Sequence, residues 1–278
     1  MPELPEVRAQ AERLAATHVG AILERFQPIT FTALKTAMTD PSAAASRPLD
    51  ELTTRGKFLL LRFGDQTHVV HLMQGGRLIT DEKMSAKPRN GIARWRFVDM
   101  DALLLTEAGK ERKAGVWVLT GDPLTQAPLD GLGPDADTVD LAQLETILSR
   151  TGGRLHGLLR DQHQLAGLGR RLANEICHTA KLSPFAAASK LTPDEVAQLH
   201  AAIHTCIDVS LEFERSQTAM VASAKRPAEV HNRTGEPCPT CGDVVRAVEY
   251  NAYTVNYCAT CQTKGKVLAD NTTSKFLK

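Results

Sequence analysis

Four cysteines near the C-terminal end form the densest set of reactive side chains in the sequence. Cys238-Pro-Thr-Cys241 and Cys258-Ala-Thr-Cys261 are two Cys-x2-Cys knuckles separated by sixteen residues. Two such knuckles converge four thiolates on one centre, the donor number and softness that a single structural Zn2+ takes when protein fills every position. An iron–sulfur cluster is the other occupant this donor set admits. Gly242 allows the tight knuckle turn, while Val244-Val245-Arg246-Ala247-Val248 and Tyr253-Thr254-Val255 read as the two strands of a ribbon. Cys177 and Cys206 lie on helical patterns and read as buried apolar thiols.

The other chemically capable segment opens the chain, Met1-Pro2-Glu3-Leu4-Pro5-Glu6. Taken alone it is the start of a helix: Pro5 suits a first turn and Glu6 complements the helix dipole. Removal of Met1, usual before a small second residue, would turn Pro2 into a secondary amine. Such an amine can attack an aldehyde-like sugar carbon and form an iminium. Glu3 beside it supplies a carboxylate able to give and take protons at the sugar oxygen.

The elements that must position these groups follow from periodicity. A helix is predicted from Pro5 to about Val19, with Val7, Ala11 and Leu14 on one apolar face. Short strands are predicted at 58–63, 68–72, 93–98, 102–105 and 115–119, bounded by Gly, Asp or Asn. Helices are predicted at 141–150, 155–161, 169–180 and 193–215, the last with Thr192 as N-cap. Residues 217–233 hold few large apolar side chains and read as a mobile loop. The expected organisation is α+β: an N-terminal helix with an antiparallel β-sandwich, a helical domain, and a C-terminal β-hairpin ribbon. Expected domain bounds are 1–130, a linker at 131–140 rich in Gly, Pro and Asp, a helical domain at 141–225, and the ribbon at 226–278.

A net charge of +1 does not by itself mark a nucleic-acid binder. The distribution is more telling. From Gly153 to Lys190 there are six basic side chains against only Asp161 and Glu175, a local attraction for phosphate. The opening is acidic and broken by prolines, unlike a signal peptide, and no apolar run reaches the roughly 20 residues of a membrane span. A reducing cytoplasmic location is therefore expected, where clustered cysteines bind metal rather than pair.

In their order along the chain, these motifs resemble the formamidopyrimidine-DNA glycosylase/endonuclease VIII family. The resemblance rests on Met1-Pro2-Glu3-Leu4-Pro5-Glu6-Val7, on Arg55-Gly56-Lys57-Phe58-Leu59-Leu60, and on Asp161-Gln162 with Gly167-Leu168-Gly169, Asn174-Glu175-Ile176 and Leu182-Ser183-Pro184. The four-cysteine ribbon completes it. Leu105-Thr106-Glu107-Ala108-Gly109 resembles an endonuclease VIII-like branch seen in actinobacteria. The resemblance implies a helix–two-turn–helix in the helical domain and a monomer in the bacterial cytoplasm, associated with the nucleoid. It implies double-stranded DNA containing a damaged base or abasic site as partner, crossing a cleft between two domains, with the damaged nucleotide flipped from the stack. It also implies base excision repair by a glycosylase with abasic-site lyase activity, through a Schiff base and β- and δ-elimination. By motif, Pro2 is the nucleophile, Glu3 the acid/base, Glu6 a carboxylate lining the site, and Lys57 a lysine near the backbone phosphates. His71 aligns with a phosphate contact, and Met73 with Gln74 stand where the family fills the void left by the flipped base.

The sequence also departs from that pattern. Arg170, followed by Arg171, stands where the family places a phosphate-holding Asn, and Tyr253 stands where its ribbon presents an arginine. Arg112-Lys113-Ala114 replaces an Arg-Arg-Phe loop, and His156 replaces a lysine. These changes argue against 8-oxoguanine and toward oxidised pyrimidines or bulkier adducts. Arg170 would supply the positive charge that Tyr253 no longer supplies. The alternative is a catalytically weakened member that only binds damaged or abasic DNA.

Overall fold

The computed structural model describes residues 1–109, 111–250 and 253–268, which form two compact units. The end of the segment expected to form the ribbon, 269–278, lies outside the described residues.

Unit 1 comprises Met1–Leu132 with Leu211–Ser223. Helix α1 (Leu4–His18) is followed by strands β1 (Leu23–Pro28), β2 (Glu51–Arg55), β3 (Phe58–Phe63), β4 (Gln66–His71), β5 (Gly76–Asp81), β6 (Gly91–Phe97), β7 (Met100–Glu107) and β8 (Gly115–Thr120). They form two antiparallel four-stranded sheets, ordered β1-β6-β7-β5 and β2-β3-β4-β8. One apolar core lies between them: Trp95, Ile92 and Leu103 from the first sheet meet Leu59, Leu61, Val70 and Val118 from the second, with Val7 and Leu14 of α1. This is the expected helix plus antiparallel sandwich. Periodicity did not reveal β1, β2 and β5. A register shift at Leu23/Arg25 breaks the alternation of β1, and β2 buries only Leu52.

A polar group is built into that core. His68 is fully buried; Trp95 Nε1 donates to its Nδ1 at 2.9 Å, and its Nε2 lies 3.0 Å from Gln66 Oε1. Burial pushes its pKa down to about 3, so it stays neutral in the fold. The unfolded chain binds this proton more readily. Stability is therefore complete above about pH 6.5 and is lost as pH falls toward 3, by about 1.4 kcal/mol per pH unit. Urea titrations of the wild type between pH 7 and 4.5 should show at least this slope, to which His71 and His156 add through their own lowered pKa values, and His68→Gln should reduce it by about 1.4 kcal/mol per pH unit. An unchanged slope would remove His68 from the account.

Unit 2 comprises Gly133–Ser210 and the described residues from Ala224 onward. It holds α2 (Leu141–Arg150), α3 (Leu155–Arg160), α4 (Arg170–Thr179), most of α5 (Pro193–Arg215), the hairpin β9 (Val245–Glu249) and β10 (Thr254–Cys258), and the short α6 (Ala259–Thr263). Reciprocal capping boxes start two helices. Asp140 and Gln143 cap α2, and Thr192 and Glu195 cap α5. The turn from α3 to α4 is held by one side chain: the Gln162 amide donates to the carbonyls of Arg160 and Leu168 and accepts from Gly167 N. Gly167 takes the left-handed conformation this turn needs (φ +101°).

The segment expected to be a loop, 217–233, is irregular apart from a single 3-10 turn, Ser223–Lys225. It is nevertheless tied down. Met220 packs on the core of unit 1, and within unit 2 the Glu175 carboxylate accepts from the backbone N–H of Glu229, Val230 and His231. Among the described residues no helix is long and apolar enough to cross a membrane.

Candidate functional site

In unit 1 the N-terminal residues form a buried knot at the start of α1. Glu3 is the N-cap residue, and its backbone N–H donates to the Glu6 carboxylate at 2.5 Å. Glu3 and Glu6 are 3% and 0% exposed, and Pro2 is buried, while Met1 ahead of them is 47% exposed. Helix α1 packs against β2 and β3, and the turn joining those strands carries Gly56 (φ +55°) and the buried Lys57. Carboxylates and an ammonium group are thus held on neighbouring elements. Burial on this scale is uncommon for Glu and Lys, and it persists only where partners compensate.

Lys57 and His71 are brought together. His71 is the last residue of β4 and faces Phe58, the neighbour of Lys57, across the strand pair, with ring centroids 4.6 Å apart. Burial first, then the Lys57 charge, lowers its pKa to about 4. Its Nδ1 accepts from Met73 N–H at 3.0 Å, which leaves the proton on Nε2. Met73 follows with a left-handed backbone (φ +52°) and lays its side chain partly against the core, whereas Gln74 is exposed. This turn depends on Gly76, where a Cβ would lie 2.1 Å from the Leu72 carbonyl oxygen. Arg112 lies on the loop between β7 and β8. Its backbone is left-handed, and its buried Nε has no hydrogen-bond partner among the described residues. The buried Glu107 carboxylate braces that loop by accepting from Ala114 N at 2.6 Å.

In unit 2 the two arginines of the α4 start diverge. Arg170 is exposed; Arg171 is buried and donates to Ser210 Oγ on α5. Tyr253 is not an isolated substitution. Arg160 at the end of α3 holds its guanidinium 4.0 Å from the centre of the Tyr253 ring, a cation–π contact. Tyr250 stacks on Tyr253 at 4.7 Å, and His156 lies nearly parallel to it at 6.2 Å. His156 is 2% exposed, and its Nε2 has no hydrogen-bond partner among the described residues. Burial and the nearby Arg160 push its pKa down to about 3. Sequence reading missed the role of Arg160. The signal available was its spacing four residues after His156, which puts both on one face of α3.

The four cysteines converge. Their Sγ atoms all lie within 4.8 Å of one another, with Cys238···Cys261 at 3.9 Å and Cys241···Cys258 at 3.4 Å. Four sulfurs at about 2.3 Å from a tetrahedral ion are separated by about 3.8 Å, so the cluster can hold one metal ion. His178 Nε2 lies 3.3 Å from Cys238 Sγ, a contact from outside the donor set of the kind that tunes thiolate sites. Asp243 ties the two knuckles together by accepting from Thr260. The hairpin is also fastened to α4: Asn174 Nδ2 lies 3.4 Å from Asn256 Oδ1, which also accepts from Asn232 N.

Comparison with known proteins gives this arrangement a context. Residues 1–114 match the model of the formamidopyrimidine-DNA glycosylase N-terminal domain, and residues 131–222 match that of the formamidopyrimidine-DNA glycosylase H2TH domain. A formamidopyrimidine-DNA glycosylase from Chloroflexus aurantiacus is 30% identical over 94% of this chain and 98% of its own. An uncharacterized formamidopyrimidine-DNA glycosylase-like protein from Mycobacterium tuberculosis is 41% identical over 58% of this chain and 100% of its own. Among solved structures, MutM in complex with carbocyclic 8-oxo-G containing DNA superposes with a TM-score of 0.84 at 20% identity, covering 94% of this chain and 100% of that one. Lactococcus lactis formamido-pyrimidine DNA glycosylase bound non-covalently to abasic-site DNA matches equally well, at 0.84 and 20% identity over 94% and 99%. At that identity the likeness speaks for the fold.

Proposed function

The chain belongs to the formamidopyrimidine-DNA glycosylase/endonuclease VIII family, and on that premise we propose that it excises a damaged base from duplex DNA and then cleaves the abasic strand. Pro2 is the nucleophile once Met1 is removed. Its nitrogen attacks C1′ of the flipped nucleotide, the bond from C1′ to the base breaks, and the base leaves with that electron pair and the proton lost from the proline nitrogen. Glu3 protonates the ring oxygen as the sugar opens to an iminium. Loss of a C2′ proton then expels the 3′-phosphate, and a second elimination expels the 5′-phosphate. Glu6 holds the Glu3 backbone, while Lys57 and the Nε2–H of His71 bind the phosphates flanking the lesion.

The observation that carries this reading is the buried Pro2-Glu3-Glu6 knot packed on the strands that bear Lys57, within a segment matched from its first residue by the family model. Duplex DNA with one abasic site tests it. The expected products carry phosphate at both new ends. Binding without cleavage would favour the binding-only reading.

We assign the metal as one structural Zn2+, because four protein thiolates leave no open position for substrate or water. For the DNA face of unit 2, the departures at Tyr253 and Arg170 fit one scheme. Tyr253 carries no charge, but it seats the guanidinium of Arg160, so a cation still stands at the hairpin tip, and exposed Arg170 adds a second. His156 lies nearly parallel to the same ring and, kept neutral by burial, adds no charge. Arg160→Ala is expected to weaken duplex binding several-fold and to lower the slope of log affinity against log salt by about one. Tyr253→Phe keeps the ring and should leave the slope unchanged. If Arg160→Ala leaves the salt slope intact, Arg160 does not contact phosphate. The lesion class proposed is oxidised pyrimidines or bulkier adducts, since Arg112-Lys113-Ala114 offers no aromatic wedge.

A further inference from the structure

We infer that unit 2 binds a second divalent transition-metal ion of the Zn2+ class, held by His200, His204 and the backbone carbonyl of Val139. The site shares no ligand with the four-cysteine centre. The sequence His200-Ala-Ala-Ile-His204 lies within α5, and spacing of four residues sets both imidazoles on one helix face, the arrangement by which paired helical histidines chelate zinc. Their Nε2 atoms are 3.2 Å apart, with ring centroids at 4.5 Å. Both face one oxygen: Val139 O lies 3.0 Å from His200 Nε2 and 3.4 Å from His204 Nε2.

Three donor atoms therefore form a triangle with edges of 3.0, 3.2 and 3.4 Å. Donors about 2.0 Å from a tetrahedral metal are separated by about 3.3 Å. The triangle is one face of that tetrahedron. Protons serve the same three atoms poorly. With both Nε2 atoms protonated, two N–H groups crowd against each other to reach one oxygen. With one proton, a nitrogen lone pair is left facing an oxygen lone pair. A cation over the triangle attracts all three lone pairs at once.

The carbonyl is aimed by independent structure. Val139 is buried, and the other end of its peptide unit, Asp140 N–H, donates to Gln143 Oε1 in the capping box of α2. The orientation of the peptide plane is thus set by the helix cap. Both histidines are partly exposed, so water can take the fourth position. Two imidazole nitrogens suit Zn2+ and its neighbours, whereas Mg2+ and Ca2+ take oxygen donors; the single carbonyl oxygen is the harder third donor. Ala201 follows His200, with no carboxylate there to act as a general base. The ion's role is to pin the segment leading into α2 to α5.

The test uses the full chain with its four-cysteine centre already loaded. It is dialysed at neutral pH against micromolar free zinc, analysed for metal content and titrated calorimetrically, with 15N NMR of the histidine rings. The expected result is one zinc beyond the four-cysteine centre, with Nε2 resonances of both histidines shifting on addition. His200→Gln and His204→Gln should each weaken that second equivalent on the order of a hundredfold while leaving the first in place. A wild-type stoichiometry of one under these conditions overturns the proposal without recourse to any variant. So does a second equivalent that both variants retain.

Discussion

Pro2→Gly is expected to lower base excision on the order of a hundredfold or more and to weaken borohydride trapping on abasic DNA by at least about tenfold. Glycine at the same place still offers a primary amine after Met1 is removed, so some imine can form. It lacks the ring that holds the nitrogen in one orientation, and it adds backbone freedom at a position that is buried in the fold. The contrast with Glu3→Gln gives the prediction its force. Glutamine preserves the shape of a side chain that is only 3% exposed but cannot deliver a proton to the sugar oxygen. Base excision should fall about 10²- to 10⁴-fold, while cleavage of a pre-formed abasic site, where the sugar is already open, should fall far less. Single-turnover assays on both substrates check this. If Glu3→Gln abolishes trapping and Pro2→Gly spares it, the two roles are wrongly assigned.

The second large effect is expected from the metal centre. Cys238→Ser removes one thiolate of four and the partner of His178. The hairpin has a small apolar cluster of its own, Val230, Cys238, Val245 and Cys258 with Cys261 packed against it, so knuckle cysteines make up much of that cluster. A structural Zn2+ contributes on the order of 10 kcal/mol to folding such a segment. Losing it should unfold the hairpin and release Tyr253 from beneath Arg160, since that ring is held on the hairpin and the guanidinium on α3. Affinity for duplex DNA should drop at least about tenfold. Unit 1 has its own core and shares none of these ligands, so its thermal transition should persist. Filter binding and calorimetry read the two effects separately. Undiminished DNA binding by the metal-free protein would detach the ribbon from recognition.

What could be read in the sequence was whatever is encoded locally. The knuckles, the N-cap at Thr192 and the apolar spacing of α5 each lie within one short window, and the fold matches them. The strands missed were those whose pattern is not local. β5 starts on a glycine demanded by the Leu72 carbonyl and leaves Ile79 42% exposed, so its alternation of apolar and polar residues is faint. The recognition face was harder still. Tyr253 read as a loss of charge because the guanidinium that covers it comes from α3, and nothing in the hairpin announces Arg160. Arg170 and Arg171 read as a pair, yet one helical step turns Arg171 inward to Ser210 and leaves Arg170 in solvent. The spacing of His200 and His204 carries no metal signal by itself; the position of Val139 O gives the pair a third donor.

The central claim is that the proline nitrogen itself forms the covalent bond to the sugar. Borohydride reduction of the wild-type protein on duplex DNA with one abasic site, followed by digestion and mass mapping of the adduct, tests it directly. The account predicts a single modified peptide that begins at Pro2, with the deoxyribose remnant on its terminal nitrogen. A remnant on Lys57, or no adduct at all on DNA that is demonstrably bound, would contradict it.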